Sequence, residues 1–173
     1  MTFFSTLATP IGRLLLVSRR TGYLSGIYME DHAGAPLHDA GWVQDEARFG
    51  EARRQLGEYF AGTRTSFELP LSFDGTPFQR RVWAALLEIQ FGRTITYAEL
   101  ARRIGAPTGS RAVGGANAKN PISIVVPCHR VIGSDGKLTG YAGGEERKRW
   151  LLDFERRRAA PVRATLAAET PFA

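Results

Sequence analysis

The hydrophobic pattern changes character near residue 75. Before it, Thr6 to Met29 reads as strands: Leu14–Val17 is an apolar run, and Tyr23–Ile27 follows after the turn signal Thr21-Gly22, which predicts a hairpin. Asp31 to Gly41 is rich in Gly, Ala, Pro and His without periodicity and reads as a loop. Glu46 to Phe60 places Phe49, Leu56 and Tyr59-Phe60 at helical spacing, with Gly62 as the stop. Phe67–Phe73 reads as another strand, closed by Asp74-Gly75. Residues 1–74 are therefore expected to form a small α/β domain, a mostly antiparallel sheet with one helix.

After the break the pattern is helical. Thr76-Pro77-Phe78-Gln79 combines a capping threonine, proline at the first helical position and a glutamine placed to bond back. The helix it opens carries Phe78, Val82, Leu86 and Ile89 on one face, and Phe91-Gly92 closes it. Thr96-Tyr97-Ala98-Glu99 is a second capping box, starting a short helix to about Ile104. Gly105–Gly109 is a turn, and Ser110 to about Lys119 is a third helix, stopped by Asn120-Pro121. This is the outline of a helix-turn-helix, an outline that many small helical domains share without touching DNA. The third helix is poor on propensity, since Gly114 and Gly115 each cost about 1 kcal/mol relative to alanine. Small side chains there admit close approach of a packed neighbour or of a nucleic-acid groove, and Arg111 at the helix start can reach well past the surface. Ile122–Val126 reads as a buried strand. The second domain spans 75–158, and the Ala- and Arg-rich stretch 159–173, with scattered prolines, reads as a disordered tail.

Charge sharpens the division. The formal net charge is +6 and the pI about 10.0. Residues 1–74 hold 7 Lys+Arg against 9 Asp+Glu, whereas residues 75–173 hold 16 against 8. A polyanion would meet the second half first, although a solvated basic surface has the same composition. No apolar run reaches membrane-spanning length, and Met1 to Leu16 lacks the pattern of a secretory leader. A single cysteine forms no internal disulfide and fits a reducing cytoplasm, the expected location. His32 and His38 read as loop histidines, because a structural zinc site needs four ligands.

Cys128 lies in Pro127-Cys128-His129-Arg130-Val131 at the end of the predicted strand. A cysteine beside a histidine is a candidate activated nucleophile, but a lone cysteine is more often a buried small hydrophobe. Neighbours on an extended chain also point to opposite faces, so adjacency alone does not give a Cys–His hydrogen bond.

The Pro-Cys-His-Arg-Val run resembles the active-site signature of the alkylguanine-DNA alkyltransferases, or methylated-DNA–protein-cysteine methyltransferases. Upstream, Arg111-Ala-Val-Gly-Gly-Ala and Asn120-Pro121 stand at the family's spacing. Downstream, Gly140-Tyr141-Ala142-Gly143-Gly144, Lys148-Arg149-Trp150-Leu151-Leu152 and Glu155 continue in order, so the resemblance runs from about Thr76 to Glu155. It implies a ribonuclease H-like α/β amino-terminal domain and a mostly helical carboxy-terminal domain with a winged-type helix-turn-helix. It implies transfer of an alkyl group from O6-alkylguanine, and less directly from O4-alkylthymine, to Cys128 in one irreversible turnover without cofactor or metal. His129 is then the base acting through a bound water, Glu155 orients it, and Asn120 ties the recognition helix to the active-site segment. Tyr97 is the donor to guanine N3 and Lys148 the cation near O6; read without the family, they are a first-turn helix residue and one member of a charge run.

The resemblance further implies double-stranded DNA as partner, bound from the minor groove with the target nucleotide flipped out and Arg111 in its place. Ala112, Gly114, Gly115 and Ala116 would face the groove, with Arg102, Arg103 and Lys119 on phosphates. Tyr141, Ala142, Ser123 and the Val131 carbonyl would line the base pocket, the carbonyls of Cys128 and Val131 accepting from the guanine amine. The chain is expected to act as a monomer, with cooperative assembly on DNA left open. Two other classes fit parts of the pattern. A lesion-binding protein without transfer activity usually lacks the nucleophilic cysteine. A cysteine hydrolase built on Cys128, His129 and Glu155 would give the helix-turn-helix no purpose.

Overall fold

The computed structural model describes residues 1–36, 40–138 and 140–169, with side chains through Ala159. Strands β1 (Phe3–Thr9), β2 (Gly12–Ser18), β3 (Gly26–Met29) and β4 (Val43–Gln44) form one sheet in the order β3-β2-β1-β4. β1–β2 and β2–β3 pair antiparallel, and β4 joins β1 parallel. The Thr21-Gly22 turn is present, with Tyr23 N donating to Arg20 O at 3.0 Å and Gly22 at φ +82°, which favours glycine. Leu14, Leu16 and Ile27 are buried in the same core as Ala52, Leu56 and Tyr59 of α1 (Gly50–Phe60), which a short 3-10 turn at Ala47–Phe49 precedes.

Phe67–Phe73 is not a strand. It makes one bridge, Leu24 with Leu71, flanked by Leu24 N to Pro70 O at 2.9 Å and Ser72 N to Leu24 O at 2.9 Å. Pro70 lacks the N–H that a longer ladder needs.

The second half holds α2 (Pro77–Leu86), β5 (Ile95–Thr96), α3 (Tyr97–Arg103), α4 (Ser110–Ala118), β6 (Val131–Ile132) and α5 (Glu145–Glu169). β5 and β6 pair parallel beside the helix-turn-helix. At the start of α2 both halves of the capping box form: Gln79 N donates to Thr76 Oγ1 at 3.1 Å and Thr76 N to Gln79 Oε1 at 3.0 Å. At α3 only Thr96 caps, because the Glu99 carboxylate is drawn to Arg102 and Arg103 instead. Trp83 Nε1 donates to Ala116 O at 2.8 Å and pins α4 to α2.

Two further expectations change. Ile122–Val126 is a tight turn in place of a strand, closed by Val126 N to Ile122 O at 3.0 Å, with Ile124 at φ +73°. Asn120 shapes it: Nδ2 donates to Val126 O at 2.8 Å and Oδ1 accepts from Ile122 N at 3.0 Å. A left-handed β-branched residue is strained and persists only where surrounding bonds over-determine it. The backbone of α5 continues to Glu169, past the boundary expected near residue 158; alanine and arginine are strong helix formers. Residues 170–173 lie outside the described residues, as does His38.

Candidate active site

Cys128 stands on a 3-10 turn (Cys128–Arg130), directly after the Asn120-clamped turn and before β6. The turn, not an extended strand, sends Cys128 and His129 into the interior, where both are buried. On the facing helix α5, Lys148 and Glu155 lie seven residues apart, two turns along one face, and both are buried.

Glu155 is the centre of a five-bond network. Its Oε1 accepts from His129 Nε2 at 2.8 Å, Tyr59 Oη at 2.8 Å and Arg130 Nη2 at 2.9 Å. Its Oε2 accepts from Arg130 Nε at 2.9 Å and Gly92 N at 3.2 Å. Burial alone would raise the carboxyl's pKa, but the bonds from His129 and Arg130 outweigh it and hold the group well below the usual range. An ionised carboxylate only accepts, so His129 carries its proton on Nε2 and keeps a lone pair on Nδ1. That Nδ1 is buried and has no hydrogen-bond partner among the described residues. Burial pushes the imidazole's pKa down despite Glu155, so it is neutral near neutrality and can take a proton.

Burial raises the Cys128 thiol, against the opposing pull of Asn120 and Lys148, so the resting group is uncharged. Around it stand Tyr97, Asn117, Tyr141 and Lys148. Lys148 is fully buried, unlike a member of a solvated charge run; its Nζ donates to Val131 O at 2.5 Å and lies 5.8 and 5.7 Å from the Tyr97 and Tyr141 ring centroids. Desolvation lowers its pKa, while Cys128 opposes the shift. Burial likewise raises the phenols of Tyr97 and Tyr141.

The loop 140–144 is braced from the first domain. Ala33 N donates to Ala142 O at 3.0 Å, and Arg147 Nη1 donates to Glu30 O at 2.6 Å and Gly143 O at 3.1 Å. A Cβ at Gly143 would collide with the Met29 sulfur and the Tyr141 ring. Ser123 is buried and its hydroxyl lies 3.5 Å from His32 Nε2, a further contact between the two domains.

On the outer side, α4 exposes Arg111, Ala112, Gly115 and Lys119 along one face, and Arg102 and Arg103 are exposed on α3, paired with Glu99. Ala116 does not belong to this face: it is buried against α2, with its carbonyl bonded to Trp83. Gly114 is turned partly inward, within ordinary contact of the Tyr97 ring.

Three buried groups around Cys128 and Glu155 were not singled out from sequence. Arg130 lies within the signature run yet its role shows only in space, including Nη1 to Ile89 O at 2.5 Å. Asn117 sits in the small-residue helix. Tyr59 comes from α1, 96 positions from Glu155, and no local pattern announces it. Its ring packs among Phe60, Phe67, Phe91 and Phe154, with centroids 5.1 to 6.0 Å away. Tyr59→Phe keeps this packing and removes one donor; we expect a stability loss of about 1 kcal/mol, seen as a fall in Tm of roughly 3 °C. An unchanged Tm would show the bond to be energetically idle.

Residues 2–73 match the family described as 6-O-methylguanine DNA methyltransferase, ribonuclease-like domain, and residues 77–157 its DNA binding domain. Fold and site therefore define a two-domain DNA-repair methyltransferase. The chain is 50% identical over 163 residues to the methylated-DNA–protein-cysteine methyltransferase of Mycolicibacterium paratuberculosis, covering 94% of this chain and 97% of that one. It is 48% identical to the Methanosarcina acetivorans protein of the same name, over 88% of this chain and 97% of that one. The crystal structure of Mycobacterium tuberculosis OGT in complex with DNA superposes with a TM-score of 0.84 at 47% identity, covering 90% of this chain and 94% of that one. The chain belongs to the methylated-DNA–protein-cysteine methyltransferase family, whose members reverse DNA alkylation directly.

Proposed function

We propose that this chain binds duplex DNA through the exposed face of α4, flips an O6-alkylguanine into the pocket beside Cys128, and takes the alkyl group irreversibly onto Sγ. The observation that carries this reading is the buried Cys128–His129–Glu155 constellation mounted beside that exposed face. The nucleophile starts as a thiol. His129 Nδ1 takes its proton, through a bound water, and Glu155 stabilises the imidazolium that forms. The thiolate attacks the alkyl carbon, an S–C bond forms, and the C–O6 bond breaks with its electron pair passing into the guanine ring. Tyr97 donates a proton at N3 and is restored by the proton that His129 took from the thiol, returned through solvent, while Lys148 sets positive charge beside the ring as it becomes anionic. In net terms the alkyl group passes from O6 to sulfur and the thiol proton ends on guanine. Asn120 holds the turn that aims Cys128, and Tyr141 and Ala142 close over the base, with Ser123 on the wall.

The α4 surface suits a narrow groove. Gly115 is exposed with nothing within 4 Å of where a Cβ would stand, so no internal packing requires glycine there. Close approach of a backbone from outside accounts for it. Arg111, second residue of α4, is placed to fill the stack as the nucleotide leaves, and Lys119, Arg102 and Arg103 to meet phosphates. The network is complete within one chain, so a monomer suffices for transfer. Mass spectrometry after incubation with a duplex containing O6-methylguanine tests the whole reading: one added methyl, mapped to Cys128, is expected, and an unchanged mass would overturn it. Arg111→Ala should slow duplex repair roughly 10- to 100-fold, the weight of a few kcal/mol of unstacking, and leave transfer from free O6-methylguanine nearly unchanged. Equal losses on both substrates would count against flipping.

A further inference from the structure

Glu155 Oε1 carries more donors than it has places for. It receives His129 Nε2 at 2.8 Å, Tyr59 Oη at 2.8 Å and Arg130 Nη2 at 2.9 Å, whereas Oε2 receives only Arg130 Nε and Gly92 N. A carboxylate oxygen offers about two lone-pair sites, so three donors on one oxygen weaken one another. His129 moves the proton and Arg130 balances the buried charge. The transfer chemistry above leaves Tyr59 unused.

Tyr59 is held in place from the first domain. It belongs to α1, is fully buried, and its ring packs on Phe60, Phe67, Phe91 and Phe154, which keeps the hydroxyl on Oε1. Burial, reinforced by Glu155, holds the phenol well above its ordinary range, so it stays a neutral donor wherever an imidazole titrates. The other charged groups bearing on His129 are Glu155 and Lys148 on α5 and Arg130 on its own turn. The segment after α2 reaches the network with backbone groups, the Gly92 amide on Oε2 and the Ile89 carbonyl on Arg130. A carboxylate that shares its lone pairs with a third donor stabilises a neighbouring imidazolium less. We infer that Tyr59 is a positioning residue for alkyl transfer: by sharing Oε1 with His129 it limits the pull of Glu155 on the imidazole and keeps His129 a free base, ready for the Cys128 proton. The first domain thereby enters the proton relay through one hydroxyl. The inference rests on the transfer reading given under the proposed function.

Tyr59→Phe deletes the hydroxyl and keeps the ring. With two donors left on Oε1 the imidazolium gains stability, so His129 is protonated, and lost as a base, at a higher pH. Single-turnover methyl uptake from a saturating O6-methylguanine duplex is followed with the full-length chain from about pH 5 to 8, the range across which an imidazole titrates. The rate constant comes from the time course and not from its amplitude, so a reduced folded fraction leaves it unchanged. The midpoint of the acid limb is expected to rise by about 0.5 to 1 pH unit in Tyr59→Phe, the weight of one shared hydrogen bond. The ratio of variant to wild-type rate constant accordingly falls by roughly 3- to 10-fold from the plateau to the foot of that limb. Phe67→Leu loosens packing on the same ring and spares the hydroxyl, and its ratio to wild type should not change with pH. A Tyr59→Phe ratio that is constant across the range, or that Phe67→Leu reproduces, would overturn the inference and leave Tyr59 a packing residue. Absence of any methyl uptake by the wild-type chain would be a different failure, that of the transfer reading itself.

Discussion

Cys128→Ala should take up no methyl group from O6-methylguanine duplexes while still binding them. The sulfur is the atom that forms the new bond, so its removal abolishes the reaction and no neighbouring group substitutes for it. The surface proposed to meet DNA lies elsewhere, on the exposed residues Arg111, Ala112, Gly115 and Lys119, which the substitution does not touch. Loss of one buried sulfur should cost about 1 kcal/mol of stability, a small cavity at a site able to relax. Binding measured by fluorescence anisotropy should remain within about 2-fold of wild type, since distant surface contacts add independently. Loss of binding together with repair would mean that Cys128 holds the fold rather than performing the chemistry.

Glu155→Gln is expected to have the next largest effect, on rate and stability together. The amide cannot stabilise an imidazolium, and its two ends cannot both accept from Arg130 and His129 as the carboxylate oxygens do. Transfer should slow by roughly 100-fold or more, as when the orienting acid of a triad is neutralised. Arg130, buried with its counter-charge removed, should cost about 3 kcal/mol, a Tm fall of roughly 10 °C. The pH dependence carries the sign. The folded pKa of Glu155 lies below the ordinary 4.5, so its contribution is fully present above that value and is lost as pH falls further. The gap in Tm between wild type and variant should therefore be constant from pH 8 to about 5.5 and narrow below 4.5. A gap that widened toward acid pH would mean the carboxyl is already protonated in the folded chain. Transfer at a near wild-type rate would remove Glu155 from the catalytic relay.

The reach of sequence reading differed from element to element. Helix α2 was legible to its first residue, because the Thr76–Gln79 capping box is a local interaction that four consecutive side chains complete. The Thr96–Glu99 box has the same spelling, yet Glu99 chose Arg102 and Arg103, since two nearby guanidiniums compete better for a carboxylate than one backbone N–H. The runs 67–73 and 122–126 are as apolar as strands, but their hydrogen bonds go to Leu24, Ile27 and the Asn120 side chain instead of to long ladder partners. Apolar runs report burial; they do not report pairing.

For the site, Cys128, His129, Asn120, Lys148 and Glu155 were singled out by the resemblance to the alkyltransferase motifs, and in the structure all five are buried, with Glu155 bonded to His129 and with Asn120 and Lys148 acting on Cys128. What spacing leaves undetermined is which way a side chain faces. Ala116 and Gly115 are neighbours in one run of small residues, and only the docking of α4 against Trp83 decides that one is core and the other surface.

By itself the sequence determined the division into two parts, the basic character of the second, and the residues able to do chemistry, because these depend on identity, charge and local periodicity. Tertiary structure decided the protonation and surroundings of Cys128. The histidine next to Cys128 in sequence becomes a neutral imidazole with a free Nδ1 only when α5 delivers Glu155 to its Nε2, α1 braces that carboxylate with Tyr59 from 96 positions away, and burial removes the water that would otherwise set each pKa.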